Sequence, residues 1–163
     1  MLKFKIRLAK ISDLPAIGSI VEEWHDHSGS TLEPIKKSIE GDNDWKFFVA
    51  EADDGNILGV MGVALSDIDP ELVPNTKGAE LVSAYVSHRA RGHGVGRALA
   101  DKVESAAIDL GANTLLIVSG SRNRESGYPF WNRRYGQPLR VDADYFAPGA
   151  ERVVWSKKLM LKG

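Results

Sequence analysis

Three glycines alternate with other residues in the middle of the chain, at Gly92, Gly94 and Gly96. Glycine lacks a β-carbon, so its backbone can approach a ligand closely, and the free N–H groups at the start of a helix attract anions. The chemistry that such a turn supports is the binding of a phosphate group. The same glycines would also allow a purely structural bend between a strand and a helix.

The basic residues around these glycines favour the phosphate interpretation. Arg89, Arg91, His93 and Arg97 all lie at the predicted start of a helix. A cation at that end of the helix dipole costs roughly 0.3–1 kcal/mol. A protein with no anion there would gain stability from Asp or Glu instead, so the sequence predicts a bound polyphosphate.

The spacing of the glycines excludes two common nucleotide-binding motifs. The Rossmann motif requires G-x-G-x-x-G after the first strand and an acidic residue about 20 positions later. The spacing here is G-x-G-x-G, and it lies in the middle of the chain. The P-loop pattern G-x-x-x-x-G-K-[ST] does not occur in the sequence.

The elements that must position this turn form a predicted β-α-β unit. Residues 80–86 are rich in strand formers, and helical periodicity then continues to about Leu110. Residues 114–118 are apolar on both sides, which is typical of a buried parallel strand. We expect a right-handed crossover between the two strands.

Further strands and short helices are predicted on both sides of this unit, and nothing indicates a linker or a repeat. We therefore expect one domain over residues 1–163. The remaining predictions are a strand over 3–8, a helix beginning near 12–15, a short helix over 32–39, a hairpin of 45–52 and 57–65, a short helix near 125–134, a loop containing proline and glycine, and a last strand over 152–159.

Composition limits the classes of function. The formal net charge of −1 argues against a general nucleic-acid binder. The absence of cysteine excludes disulfides and thiol nucleophiles. The apolar runs are far shorter than the ~20 residues that a membrane span requires, and the N-terminus lacks a signal peptide's apolar core. We therefore expect a cytoplasmic protein that binds neither membrane nor nucleic acid.

The segment Arg91–Gly96 matches the pattern [R/Q]-x-x-G-x-[G/A] of the GNAT superfamily of N-acetyltransferases, which the chain resembles. The preceding residues 84–88 also resemble that family, although His88 stands where many members have proline. The resemblance implies an α/β (α+β) fold with a central mixed, mostly antiparallel sheet of six or seven strands. A parallel, splayed pair (80–86 and 114–118) would lie in this sheet, which helices would flank.

The resemblance further implies acetyl-CoA as co-substrate and no metal. Tyr85 and Val86 would pair with the pantetheine arm, and an N–H near Val86 would polarise the thioester carbonyl. Asn123 would touch the same arm. The residues implied for the pyrophosphate are Arg91, Gly92, His93, Gly94, Val95, Gly96 and Arg97.

A base must take the proton of the attacking amine, because only a neutral amine attacks a thioester. Glu80 resembles the glutamate that some family members use. Its alternative role is that of a solvated carboxylate at the edge of a strand. His88 and Glu51 are further candidates.

The leaving thiolate is often protonated in this family by a tyrosine within an F-Y-x-x-x-G-F-like run. In the corresponding run Phe130–Gly136, either Trp131 or Asn132 occupies the tyrosine position, and neither is an acid at neutral pH. Tyr128 is the nearest replacement, ahead of Tyr135 and Tyr145. Each of these tyrosines could instead be a packing residue.

The acceptor is expected to be a small-molecule amine or a peptide amine, and a homodimer stays open. Two alternatives to an acetyltransferase also stay open: a non-catalytic acyl-CoA-binding regulatory domain, and an unrelated nucleotide-phosphate enzyme. In 24–27, His25 and His27 do not share a helix face, so no metal site is expected. By resemblance, Trp24 or His25 would contact the acceptor. A basic cluster could bind the adenosine 3′-phosphate or an acidic substrate, or lie in solvent; its members are Arg122, Arg124, Arg133 and Arg134.

Overall fold

The computed structural model of the protein describes residues 2–24, 29–41, 44–66, 77–120 and 124–160. The helices and strands are, in chain order, β1 (Phe4–Leu8), α1 (Leu14–Glu22), α2 (Gly29–Ile39), β2 (Trp45–Ala52), β3 (Ile57–Ser66), β4 (Gly78–Val86), α3 (Val95–Asp109), β5 (Thr114–Gly120), α4 (Gly127–Tyr135), β6 (Arg140–Ala147) and β7 (Ala150–Lys158). Two short 3-10 turns, Ile11–Asp13 and His88–Ala90, precede α1 and α3.

The seven strands form one sheet in the order β1-β2-β3-β4-β5-β7-β6. The neighbours β4 and β5 run parallel, and the other neighbouring strands of the described residues run antiparallel. The predicted fold class, a mixed and mostly antiparallel sheet with one parallel pair flanked by helices, is confirmed.

The two faces of the sheet carry separate hydrophobic cores. Helix α3 packs on one face with Leu99 and Val103 fully buried, and α4 joins the same core through Trp131. Helices α1 and α2 cover the opposite face with Ile17 and Ile35. We call these the α3 face and the α1 face.

Strand β6 is the element that the sequence did not predict, because the segment after α4 was expected to be a loop. That expectation is wrong. Its residues are exposed along almost the whole strand, so the alternation of buried and exposed side chains that marks a strand is missing. The pairing of β6 with β7 is also interrupted between Asp142 and Ala147.

No helix of the described residues is long and apolar enough to cross a membrane.

Candidate functional site

The parallel strands β4 and β5 pair over only part of their length. Their register runs from Gly78 opposite Thr114 to Leu81 opposite Ile117. Beyond that last pair β4 continues to Val86 and β5 to Gly120 without pairing to each other. The two strands therefore separate and leave a gap in the middle of the sheet.

A bulge in β4 lies directly beside the point where the strands separate. Met61 of β3 faces two residues of β4, Ser83 and Ala84. The φ angle of Ser83 is 53°, in the left-handed region that side-chain-bearing residues seldom adopt. A bulge bends its strand and increases the local twist, which is consistent with β4 turning away from β5 here.

A cavity of about 670 Å³ fills the gap and is lined from both faces of the sheet. Leu81 and Ile117 close it where the strands meet. The α3 face contributes Gly96, Phe130 and Trp131, and the α1 face contributes residues that include Trp24 and Tyr85.

Backbone groups of β4 point into this gap. The N–H of Ser87 donates to the carbonyl oxygen of Leu58 in β3 at 2.8 Å. Because backbone polar groups alternate in direction along a strand, the N–H and C=O of Val86 point away from β3, towards the gap. The Val86 carbonyl accepts a hydrogen bond there from Trp24 Nε1 at 3.1 Å.

The glycine-rich turn stands at one end of the cavity and leads directly into α3. Gly92 and Gly94 have φ angles of 78° and 81°, so both need glycine, and a β-carbon at either would meet no atom within 4 Å. The first turn of α3 has no side-chain cap and no acidic residue. Its backbone N–H groups and the surrounding cations thus form an open cradle that fits a pyrophosphate.

Arg91 connects this turn with the cavity. Its guanidinium lies 5.3 Å from the ring centroid of Trp24, and it is itself one of the lining residues. Gly96 has an ordinary φ angle and lies where α3 approaches α4. The turn therefore contains two kinds of glycine, two that permit its conformation and one that permits close packing.

Glu80 lies in the part of β4 that still pairs with β5, opposite Leu116. It is half-buried, and burial raises the pKa of its carboxyl although the charge of Arg152 acts in the opposite direction. Its neighbours Ala79 and Leu81 belong to the core of the α3 face, so Glu80 projects towards the α1 face. It is not among the residues that line the cavity.

The tyrosines are placed differently from one another. Tyr128 donates its hydroxyl to Glu151 Oε1 at 3.2 Å, and burial together with this carboxylate raises the pKa of Tyr128 to about 12. Tyr135 donates to the buried Glu104 of α3. Of the four tyrosines, all in the part of the chain that the structure describes, Tyr85 lines the cavity.

The two residues at the expected tyrosine position, Trp131 and Asn132, both contact the hydrophobic core. Trp131 is 6% exposed and lines the cavity with its ring. Asn132 Oδ1 accepts a hydrogen bond of 3.0 Å from Nε1 of the buried Trp155. Neither residue supplies an acid to the gap.

The other predicted candidates lie apart from the gap or are engaged elsewhere. The ring of the exposed His88 packs against the Trp24 ring at a tilt of 34°, with 4.1 Å between ring centroids. Glu51, on β2, bonds to Arg7 at 3.3 Å, two strands away from the gap.

Part of the predicted basic cluster is neutralised by carboxylates. Arg124 pairs with Glu151 at 3.0 Å, and Arg134 pairs with Asp101 at 2.6 Å and with Glu104. Several residues that were candidates from the sequence lie outside the described residues: His25, Asp26, His27, Arg122 and Asn123.

Two features of the site carry no signal in the sequence. Ser83 does not differ from any other strand residue in its type, so the bulge could not be predicted from it. Phe146, which lines the cavity from β6, belongs to the strand that was expected to be a loop.

A comparison of the sequence with models of protein families agrees with this geometry. A model of the acetyltransferase (GNAT) family matches residues 14–136, which include the turn, the parallel pair and α4. The chain belongs to the GNAT family. The resemblance stated from Arg91–Gly96 is thereby confirmed, and the protein is an acyltransferase by family.

Solved structures share the fold of this GNAT protein over nearly its whole length. A GNAT-family protein from Desulfovibrio desulfuricans has a TM-score of 0.82 at 14% identity and covers 97% of this chain and 100% of its own. A phosphinothricin acetyltransferase from Sinorhizobium meliloti, in complex with AcCoA, has a TM-score of 0.72 at 19% identity over 96% and 88%. A ribosomal-protein-alanine N-acetyltransferase from Brucella melitensis has a TM-score of 0.71 at 20% identity over 95% and 99%. No curated protein sequence matches the chain.

Proposed function

We propose that this GNAT protein transfers an acetyl group from acetyl-CoA directly to an amine, and that the amine belongs to a small molecule. The observation that carries the proposal is the cavity between β4 and β5, which joins the glycine-rich turn to the opposite face of the sheet. A donor bound at the turn and an acceptor bound on the α1 face can meet in such a cavity.

The residues of the turn fit coenzyme A. Gly92 and Gly94 leave space beside the backbone, and the uncapped start of α3 offers N–H groups to a pyrophosphate. Arg91 and Arg97 supply positive charge beside it, and His93 lies in the same turn. Val95 and Gly96 begin the helix whose N–H groups face the anion.

The arm of the donor would follow β4, where Tyr85 and Val86 are. The N–H of Val86 points into the gap and can donate to the thioester carbonyl, which is worth several kcal/mol for a well-placed donor. A bound acetyl thioester supplies the activated carbonyl carbon. Asn123, by resemblance, would touch the same arm.

The transfer needs one proton removed and one proton supplied. The amine nitrogen forms the C–N bond as the C–S bond breaks, and Glu80, which does not line the cavity, accepts the amine proton through water. Burial raises the pKa of Glu80, which makes it a stronger base than an ordinary carboxylate. The thiolate then takes a proton from a tyrosine.

Two tyrosines are candidates for that acid. Tyr128 was the candidate from the sequence, and its hydroxyl stays protonated because its pKa is raised to about 12. It must leave Glu151 to reach the gap, since its hydroxyl donates to that carboxylate. Tyr85 already lines the cavity. Phenylalanine variants of the two tyrosines distinguish which of them donates the proton.

The proposed class of acceptor rests on the similar solved structures and on the size of the cavity. The relatives include enzymes named for phosphinothricin and for spermidine and spermine, and one named for ribosomal-protein alanine. The names of proteins with this fold therefore include small amines beside a ribosomal-protein alanine. A small amine is also the simpler partner for a cavity of about 670 Å³.

A second candidate function is a non-catalytic acyl-CoA-binding domain. The observation that favours it is that the buried Trp131, or Asn132 in the other register, stands where the family resemblance implies the acid tyrosine. On this reading the chain binds acetyl-CoA and releases no thiol.

Two measurements test these functions. In thermal unfolding, acetyl-CoA should raise the midpoint, whereas ATP and NAD should not, because only a ligand that binds the native state stabilises it. Stabilisation by ATP or NAD without stabilisation by acetyl-CoA would contradict the proposal.

The second measurement follows thiol release from acetyl-CoA with a panel of small amines and of peptides. Thiol release that depends on a small amine supports the enzyme, and preference for the peptides would make the acceptor a protein. Binding of acetyl-CoA without thiol release for any amine would favour the non-catalytic domain.

A further inference from the structure

We propose that the Trp24 indole occupies the backbone carbonyl of Val86 that the arm of coenzyme A would use, and that coenzyme A binding displaces the indole from this carbonyl. Trp24 follows α1, and its ring lines the cavity together with Val86 and Arg91. This inference rests on the proposed use of coenzyme A and assigns Trp24 a positioning role in that reaction.

The first observation is the hydrogen bond from Trp24 Nε1 to the Val86 carbonyl at 3.1 Å. This carbonyl faces the gap, because the N–H of the next residue, Ser87, points to β3. It is the acceptor that an extended arm along β4 would use. An indole and the amide of an arm therefore compete for one backbone group.

The second observation is the position of Arg91 over the Trp24 ring, 5.3 Å from its centroid. Arg91 is also the first residue of the phosphate-binding turn. An arginine that turns towards a phosphate forms charge-assisted hydrogen bonds that are stronger than its attraction to an aromatic face. Anion binding at the turn would thus weaken one of the contacts that hold the indole.

The third observation is that the chain segment carrying Trp24 is fixed to the end of β4. Glu23 Oε1 accepts hydrogen bonds from the His88 N–H at 3.0 Å and from the Ser87 hydroxyl at 3.2 Å. The backbone beside Trp24 is therefore anchored, and the ring is the part that can turn. Because Trp24 is half-buried, its N–H can find water after it leaves Val86.

The experiment compares two ligands on Trp24→Phe, a change that keeps an aromatic ring and removes the indole N–H. Acetyl-CoA carries both the phosphates and the arm, whereas adenosine 3′,5′-bisphosphate carries phosphates without the arm. We expect Trp24→Phe to bind acetyl-CoA about fivefold more tightly, equivalent to about 1 kcal/mol, and to bind the bisphosphate as the wild type does. Calorimetric titration measures both dissociation constants.

The matched control is Trp45→Phe, on β2, where the ring stacks on Phe47 and does not line the cavity. It should leave both dissociation constants unchanged. The midpoint of thermal unfolding is measured for each variant, and a second variant, Trp24→Leu, removes the N–H together with the ring and should also bind acetyl-CoA more tightly than the wild type.

Other outcomes overturn the inference. Weaker or unchanged binding of acetyl-CoA to both Trp24 variants would mean that the indole does not compete with the arm. Equal tightening for both ligands in Trp24→Phe, which keeps an aromatic ring for Arg91, would place the effect at the phosphates and also contradict it. If wild-type protein binds no acetyl-CoA at all, the proposed function itself fails, so the two failures are distinguishable.

Discussion

The ring of Phe130, on α4, lies so close to Gly96, on α3, that a β-carbon at position 96 would be 3.3 Å from its Cε2 atom. The backbone of Gly96 is not in the left-handed region, so alanine is acceptable to the helix and would favour it by roughly 0.5–1 kcal/mol. Both residues also line the cavity. The absence of a side chain at position 96 therefore affects the shape of the cavity as well as the packing of α3.

Gly96→Ala should accordingly change function more than stability. We expect the free energy of unfolding to change by less than about 1 kcal/mol, since helix propensity offsets the contact. The dissociation constant of acetyl-CoA should rise about threefold as the Phe130 ring moves into the cavity. Adding Phe130→Leu should recover the affinity, and an unchanged affinity in Gly96→Ala itself would show that the ring has room to move aside.

Gly92→Ala should weaken acetyl-CoA binding through the backbone of the turn. Alanine at a φ angle of 78° costs about 1 kcal/mol or more, so the turn should relax away from the conformation that faces the phosphates. We expect about a tenfold rise in the dissociation constant, measured by calorimetry.

The matched control for this variant is Gly55→Ala in the β2–β3 hairpin. Gly55 has a φ angle of 87° and, like Gly92, open space around its missing β-carbon. It should lose similar stability and keep its affinity. Equal losses of affinity in both variants would assign the effect to stability instead.

Glu80→Gln should remove a pH dependence as well as activity. A base works only when it is deprotonated, and the pKa of Glu80 is raised by burial. The wild-type kcat/KM should therefore fall as the pH drops through a value above the ordinary carboxyl pKa of 4.5. Glu80→Gln should lower kcat/KM by about 10²-fold or more at neutral pH and should lack this acid limb. An acid limb that persists at the same pH in the variant would assign the base to another group.

The two tyrosine candidates should separate by their effects. Tyr85→Phe should lower kcat about tenfold or more, because this residue lines the cavity. Tyr128→Phe should leave kcat within about threefold and lower the free energy of unfolding by about 1 kcal/mol, because Glu151 loses a hydrogen-bond donor. The reverse pattern in kcat would make Tyr128 the acid and require it to leave Glu151 during turnover.

Asp13 should govern part of the stability in acid. Two guanidinium hydrogen bonds from Arg7, both 2.8 Å, hold the pKa of this buried carboxyl below its usual value. Because the folded-state pKa is the lower one, the contribution is complete above the unfolded pKa of about 3.9 and disappears as the pH falls through the folded value.

Asp13→Asn should therefore cost about 2 kcal/mol at pH 7 and much less near pH 2. Urea unfolding at the two pH values measures this difference. The exposed Asp109→Asn serves as the control and should show no such change. A cost that is the same at both pH values would mean that the charge of Asp13 does not contribute.

The sequence predicted the site best where a residue type has one physical meaning. Gly92 and Gly94 were predicted as turn residues, and both adopt conformations that other residues avoid. The apolar run 114–118 likewise identified β5 because a strand buried on both faces has no polar alternation.

The sequence did not predict the features of the fold and the site that depend on contacts between distant residues. Strand β6 lacks a buried face, so no local pattern distinguishes it from a loop. The bulge at Ser83 depends on the pairing of β3 with β4, and the hydrogen bond between Trp24 and Val86 joins residues 62 positions apart. Neither can be read from neighbouring residues.

The gap between β4 and β5 has a consequence for inhibition. Because it is lined from both faces of the sheet, the proposed donor and the proposed acceptor need not occupy the same side of it. A single molecule that joins a coenzyme A analogue to an amine would pass through the gap and bind on both faces of the sheet. Such a compound should dissociate far more slowly than either half, because release of one end leaves the other in place.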